Sequence, residues 1–181
     1  MIVRSANAVD ASGIATVYGH HVLHGLGTFE ERPPAPGEIA ARVAAAAALG
    51  LPYLVAEREG RIAGFAYASA FRPRPGYRHT AEDSVYVGPD QTGRGVGKAL
   101  LGRLIGECEA LGLRQLVAVI GDSGNTASIG LHRALGFEEV GVFRSIGFKF
   151  GRWVDVVFMQ RALNSGDESA PTAAGLALDP R

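Results

Sequence analysis

Six residues, Gly93-Arg94-Gly95-Val96-Gly97-Lys98, lie between a strand-like run and a helix-like run. Glycines at alternate positions let the backbone approach a ligand without Cβ collisions. A strand turning through them into a helix exposes N–H groups beside the positive end of the helix dipole. The chemistry this suits is phosphate or pyrophosphate binding. A nucleotide P-loop requires Gly-x-x-x-x-Gly-Lys-Ser/Thr, but the window ending at Gly97 starts with Thr92, and Ala99 follows Lys98. A dinucleotide fingerprint requires Gly-x-Gly-x-x-Gly, yet counting from Gly93 or Gly95 ends on Lys98 or Leu100. Both fail, and a plain tight turn is the bland alternative. His20, His21 and His24 put two imidazoles on one helix face, but a zinc protease needs glutamate where His21 stands. With no third ligand evident, the expectation is a surface or pocket-lining role and no metal. Cys108 falls on an apolar helical stripe and reads as core rather than nucleophile.

The elements that must position these residues follow from bulk properties and periodicity. The chain's 181 residues are one domain's worth, and 47% hydrophobic content fits a globular protein. The 18 basic and 18 acidic side chains cancel, so no global field favours nucleic acid or an anionic membrane. A single cysteine precludes an internal disulfide and fits a reducing compartment. Residues 1–5 begin like a strand without a signal-peptide core, and the longest apolar stretch, 43–49, is too short for a bilayer. A cytoplasmic location is the expectation.

Residues 2–4 read as a strand. Asp10 can cap a helix whose apolar face is Ile14, Val17, Tyr18 and Leu23, ended by Gly25 and Gly27. Two prolines keep 28–34 non-helical, and Pro36 opens an alanine-rich helix to about Leu49. Strands are expected at 53–57, 62–71 and 81–87, with a basic, proline-broken loop at 72–78. A helix from about 96 to 111 buries Val96, Leu100, Leu104, Ile105, Cys108 and Leu111. An apolar strand at 116–120, a helix from Asn125 or Thr126 to Gly136, and strands at 138–146 and 153–161 complete the order. Trp153 would pack in its strand or at a subunit contact. Residues 1–163 form the expected domain, and the small, polar segment 164–181 reads as a disordered tail. The order βααβββαβαββ predicts an α/β fold around one mixed, twisted sheet flanked by about four helices.

Two segments carry a family resemblance. Gln91 to Leu101 resembles the pyrophosphate-binding motif of the GNAT acyltransferase superfamily, which usually reads Gln/Arg-x-x-Gly-x-Gly/Ala; its first position falls on Thr92, a departure from the pattern. Asn125 to Phe137 resembles the second motif, Asn-x-x-(Ala/Ser) leading into a helix that ends Leu-Gly-Phe. The resemblance covers about residues 2–163 and implies the GNAT fold, with acetyl-CoA as cosubstrate and no metal. It implies that Val85, Tyr86 and Val87 offer backbone groups to the pantetheine arm, one N–H polarising the thioester carbonyl. It implies that Gly93, Arg94, Gly95, Val96, Gly97 and Lys98 hold the pyrophosphate, and that Asn125 contacts the pantetheine with Ser128 and His132 nearby.

Thr28-Phe29-Glu30, residues 80–87, 131–137 and 147–155 further resemble the phosphinothricin and methionine sulfoximine acetyltransferases. That branch acetylates the α-amine of glutamate-like or methionine-like compounds. An amine of pKa about 8 to 10 must lose a proton before attacking, which calls for a carboxylate base. Glu82 matches the family's base. His132 stands where many GNAT enzymes have tyrosine, as the acid for the leaving thiolate, a proton relay, or a cofactor-packing group; Tyr86 is a further candidate. Arg72, Arg74 and Arg78, with Pro73, would meet the substrate's oxyanions. Phe29, Glu30, Asp83 and Ser84 would complete the acceptor side. The resemblance also implies a homodimer through late strands at about 143–158. Acetylation of another small amine or a protein N-terminus, and a non-catalytic acetyl-CoA sensor, are the alternatives.

Overall fold

The structure, a computed structural model, describes residues 1–178. Its elements are β1 (Ile2–Ser5), α1 (Ala11–His24), α2 (Pro36–Ala48), β2 (Tyr53–Arg58), β3 (Arg61–Ala70), β4 (Thr80–Val87), α3 (Val96–Ala110), β5 (Gln115–Gly121), α4 (Thr126–Ala134), β6 (Glu138–Lys149) and β7 (Arg152–Ala162). The strands form one sheet in the order β1-β2-β3-β4-β5-β7-β6. Every pairing is antiparallel except β4 with β5. The expected α/β class, mixed sheet and four flanking helices are all present.

Strand alternation divides the apolar side chains between two cores. On one face, Ala66, Ala81, Leu116, Ala118 and Met159 meet Leu100, Leu101, Leu104 and Cys108 of α3, with Phe137 behind α4. On the other, Tyr53, Val55 and Phe65 meet α1 and α2 through Ile14, Tyr18, Val22, Ile39 and Val43. The alternation that fills both cores also sends consecutive β4 residues to opposite faces.

Two core assignments shift. Val22, fully buried, continues the row of Ile14 and Tyr18 at four-residue spacing, whereas Leu23 is 51% exposed. Leu111 is also exposed, because α3 stops at Ala110 and Gly112, at φ +74°, turns the chain so that Leu113 fills the core instead. Trp153 is 65% exposed and meets the Phe148 ring edge-on. Residues 164–178, expected within a disordered tail, carry no helix or strand but pack against the domain. Arg114 binds the Gly166 and Ser169 carbonyls, the Leu176 N–H donates to the Arg78 carbonyl, and Leu176 is buried. The final part of that expected tail, 179–181, lies outside the described residues.

Candidate active site

The parallel pair β4 and β5 stays in register only from Thr80↔Gln115 to Asp83↔Ala118. Beyond that both strands continue, to Val87 and Gly121, without pairing to each other. The gap opens a slot of about 670 Å³, lined by Asp83, Ser84, Val85, Tyr86 and Val87 on one side and by Ala118 to Gly121 on the other. The slot's remaining walls are the glycine-rich turn, α4, and the start of the α1–α2 connection.

At the turn, Gly93 has φ +71° and Gly95 has φ +78°. A Cβ at either position would meet nothing within 4 Å, so glycine is required by backbone conformation rather than by space. Gly95 is the N-cap of α3, and no side chain caps that helix. Its first N–H groups are therefore free to bind an anion. Gly93, Gly95, Val96, Gly97 and Lys98 line the slot, while Arg94 is exposed outside it. Thr92 departs from the motif in chemistry as well: its hydroxyl turns back to the Pro89 carbonyl, 3.3 Å away.

From the other wall, Asn125 Oδ1 accepts from the Ser128 N–H and caps α4, so Asn125 both shapes and lines the slot. His132 sits at the inner end, 2% exposed. Its Nδ1 is 2.7 Å from the Ser128 carbonyl and its Nε2 is 3.0 Å from Asp83 Oδ2. Burial pulls the imidazolium down, but the hydrogen bond and charge of Asp83 outweigh it, and the net direction is up. Burial pushes the Asp83 carboxyl up, against the pull of His132. Asp83 was expected among the acceptor-side residues; instead it is buried with His132 in the slot. Their 49-residue separation explains why sequence spacing gives no hint of the pair.

Glu82 occupies the opposite face of β4, in register with Ser69 on β3 and Val117 on β5. Burial raises its carboxyl above the ordinary range, the Asp83 charge adds to this, and Arg72 pulls it back down. Arg72, Pro73, Arg74 and Arg78 are exposed. Arg72 lies 5.0 Å over the Phe71 ring, and Arg78 Nε donates to the Pro75 carbonyl. Within this chain, Arg72 is thus the loop arginine whose charge reaches Glu82.

The α1–α2 connection carries the expected acceptor residues. Phe29 lies over Gly147, where a side chain would collide with its ring. Glu30 accepts from both guanidinium nitrogens of Arg42, at 2.8 and 3.1 Å, and from the Tyr18 hydroxyl at 2.9 Å. Burial pushes Glu30 up, yet Arg42 and Tyr18 leave its net direction downward. Lys149, 2% exposed, reaches across from β6 and donates to the Gly25 and Thr28 carbonyls at 2.9 and 2.7 Å. Sequence reasoning assigned Lys149 no role, and only its place within the 147–155 match pointed there. His21 Nε2 donates to the Val87 carbonyl at 2.9 Å, while the His20 and His24 rings lie 5.0 Å apart, tilted by 48°. Tyr86 packs against Tyr18, Phe65 and His21, and burial drives its phenol well up. Cys108 is fully buried, which pushes its thiol up to about 12. Among the described residues, no cluster of His, Cys, Asp and Glu could hold a metal ion.

Three comparisons bear on this geometry. The acetyltransferase (GNAT) family model matches residues 24–137. The chain is 55% identical over 169 residues to phosphinothricin N-acetyltransferase of Alcaligenes faecalis, covering 93% of this chain and 86% of that one. It is 40% identical to the L-methionine sulfoximine/L-methionine sulfone acetyltransferase of Salmonella typhimurium, covering 96% and 99%. The crystal structure of a phosphinothricin acetyltransferase from Sinorhizobium meliloti in complex with acetyl-CoA superimposes with a TM-score of 0.91 at 49% identity, covering 94% and 92%.

Proposed function

We propose, from the premise that the chain belongs to the acetyltransferase (GNAT) family, that it acetylates the α-amine of a small amino-acid-like substrate. The substrate class is that of phosphinothricin, methionine sulfoximine and methionine sulfone, and acetyl-CoA is the donor. The observation that carries the reading is the slot between the diverging β4 and β5. It leads from an uncapped helix N-terminus to the inner end of the sheet, where Glu82 and Asp83 leave β4 on opposite faces.

In this reading the free N–H groups of α3, with Lys98, hold the pyrophosphate. Main-chain groups of Val85 to Val87, released from pairing with β5, receive the pantetheine and polarise the thioester carbonyl. Glu82, whose burial raises its proton affinity, takes the ammonium proton so that the amine attacks the carbonyl directly. The Asp83–His132 end of the slot serves the departing sulfur. Arg72 orients the substrate carboxylate and tempers Glu82. Phe29 supplies an apolar wall, and Arg42 and Lys149 fix the loop that carries it.

The transferase domain spans residues 1–163, and the protein works in the cytoplasm, where its one cysteine stays a buried thiol. A second copy covers the β6–β7 side, where Val140, Phe143, Ile146, Phe148 and Trp153 are each more than half exposed.

Incubation with acetyl-CoA and each of the three named amines, following thiol release, tests the reading. Turnover of at least one is expected. Tight acetyl-CoA binding with no transfer to these or to a broad amine panel would instead make the protein a sensor.

A further inference from the structure

His132 occupies the position of an acid for the leaving thiolate, yet its ring has no nitrogen to spare. Nδ1 faces the Ser128 carbonyl, which can only accept, so Nδ1 carries a proton. Nε2 faces Asp83 Oδ2. The ring is packed in place by Phe137, edge-on at 5.0 Å. Asp83, by contrast, has an oxygen unspent: Oδ1 is shielded from solvent and has no hydrogen-bond partner. A buried carboxylate oxygen left unpaired is costly in a structure that satisfies nearly all such atoms. Asp83 is also the last β4 residue paired with β5, at the point where the slot begins.

We propose that Asp83 hands the proton to the departing coenzyme A sulfur, and that His132 supplies it. The inference rests on the acetyl-transfer reading above. The pair starts as imidazolium and carboxylate. The Nε2–H bond breaks and an O–H bond forms on Asp83. The Asp83 side chain, 1% exposed in the slot's inner wall, then turns about its Cα–Cβ bond and presents that proton to the slot. As the carbon–sulfur bond breaks, its electron pair stays on sulfur, the O–H bond breaks and an S–H bond forms. His132 is left neutral with its Nδ1–H still donating to the Ser128 carbonyl, and the next proton from solvent restores the pair. Asp83 is the catalytic residue here; His132 positions it and stores its proton.

A purely structural pair, tying α4 to β4, would predict something different, and the leaving group separates the two. A selenolate is a much weaker base than a thiolate and departs without a proton. Wild type and Asp83→Asn are therefore compared with acetyl-CoA and acetyl-selenocoenzyme A, using one amine. With the thioester, kcat of the variant should fall about 100-fold or more, as for loss of a general acid, while KM for acetyl-CoA stays within about threefold. With the selenoester, the loss should shrink to about fivefold or less. His132→Gln, which leaves Asp83 in place, should repeat the pattern, and the double variant should be no worse than either single one. Equal losses with both esters, or no loss with the thioester, would overturn the proposal. A wild-type protein that transfers from neither ester overturns the acetyl-transfer reading, and this inference with it.

Discussion

Replacing Glu82 by glutamine preserves shape and removes the ability to take a proton. Glu82→Gln should lower kcat/KM for the amine by about 10²–10⁴ while leaving the acetyl-CoA dissociation constant unchanged, measured by stopped assays and calorimetry. The base works only when ionised, so activity falls as pH drops through its folded pKa. That value is raised by burial and by Asp83, so the acid limb of kcat/KM lies above the ordinary carboxylate range. Arg72 opposes the rise. Arg72→Gln should therefore move the limb to higher pH, besides weakening substrate binding; a limb that stays put would separate Arg72 from Glu82. At this scale the sequence told a partial story. Glu82 and His132 stood out in recognisable segments, but the partner of His132 did not. A pair formed between a strand and a helix 49 residues later is set by which face each side chain takes. Asp83, adjacent to Glu82, was grouped with it although strand alternation sends the two apart.

Elements were more legible than contacts, because glycine, proline and apolar spacing are local signals. The glycine-rich turn illustrates this: its role as helix start is written in residue types that few other sequences would place there. Gly95→Ala forces a left-handed conformation on an L side chain at the α3 N-cap and should cost about 1–2 kcal/mol in chemical denaturation. It should also raise KM for acetyl-CoA, since the N–H groups beside it would be re-aimed. Lys149 shows what local signals miss. Between the expected strands 138–146 and 153–161 it carries no local cue, and only the folded sheet brings it under the connection 121 residues earlier. Lys149→Met would strip two carbonyls of their donor. The loop bearing Phe29 and Glu30 should loosen, raising KM for the amine on the order of tenfold, about 1.4 kcal/mol, with a smaller change in kcat. The misplaced Leu23 and Leu111 are errors of phase at helix ends, where the next turn of chain decides which side chain enters the core.

For the molecule as a whole, the unpartnered apolar side of β6 and β7 is the outstanding surface. Sedimentation should find a dimer, and Phe143→Glu should shift it toward monomer while the circular dichroism spectrum stays the same. A wild-type monomer would leave that face without the proposed partner. The diverging strands have a wider consequence. Residues 84–87 and 119–121 present edges to each other that no ladder joins, so the sheet is built one strand short. In the proposed reading the pantetheine arm completes it, acting as a detachable rung of the fold rather than as cargo on its surface. The backbone amides flanking the gap should exchange with deuterium quickly in the free protein and slowly with acetyl-CoA. At a concentration 100 times its dissociation constant, the ligand adds about 2.7 kcal/mol to stability, a rise in Tm of roughly 5–10 °C for a chain this size. Such a protein should therefore survive proteolysis longer with acetyl-CoA present than without it.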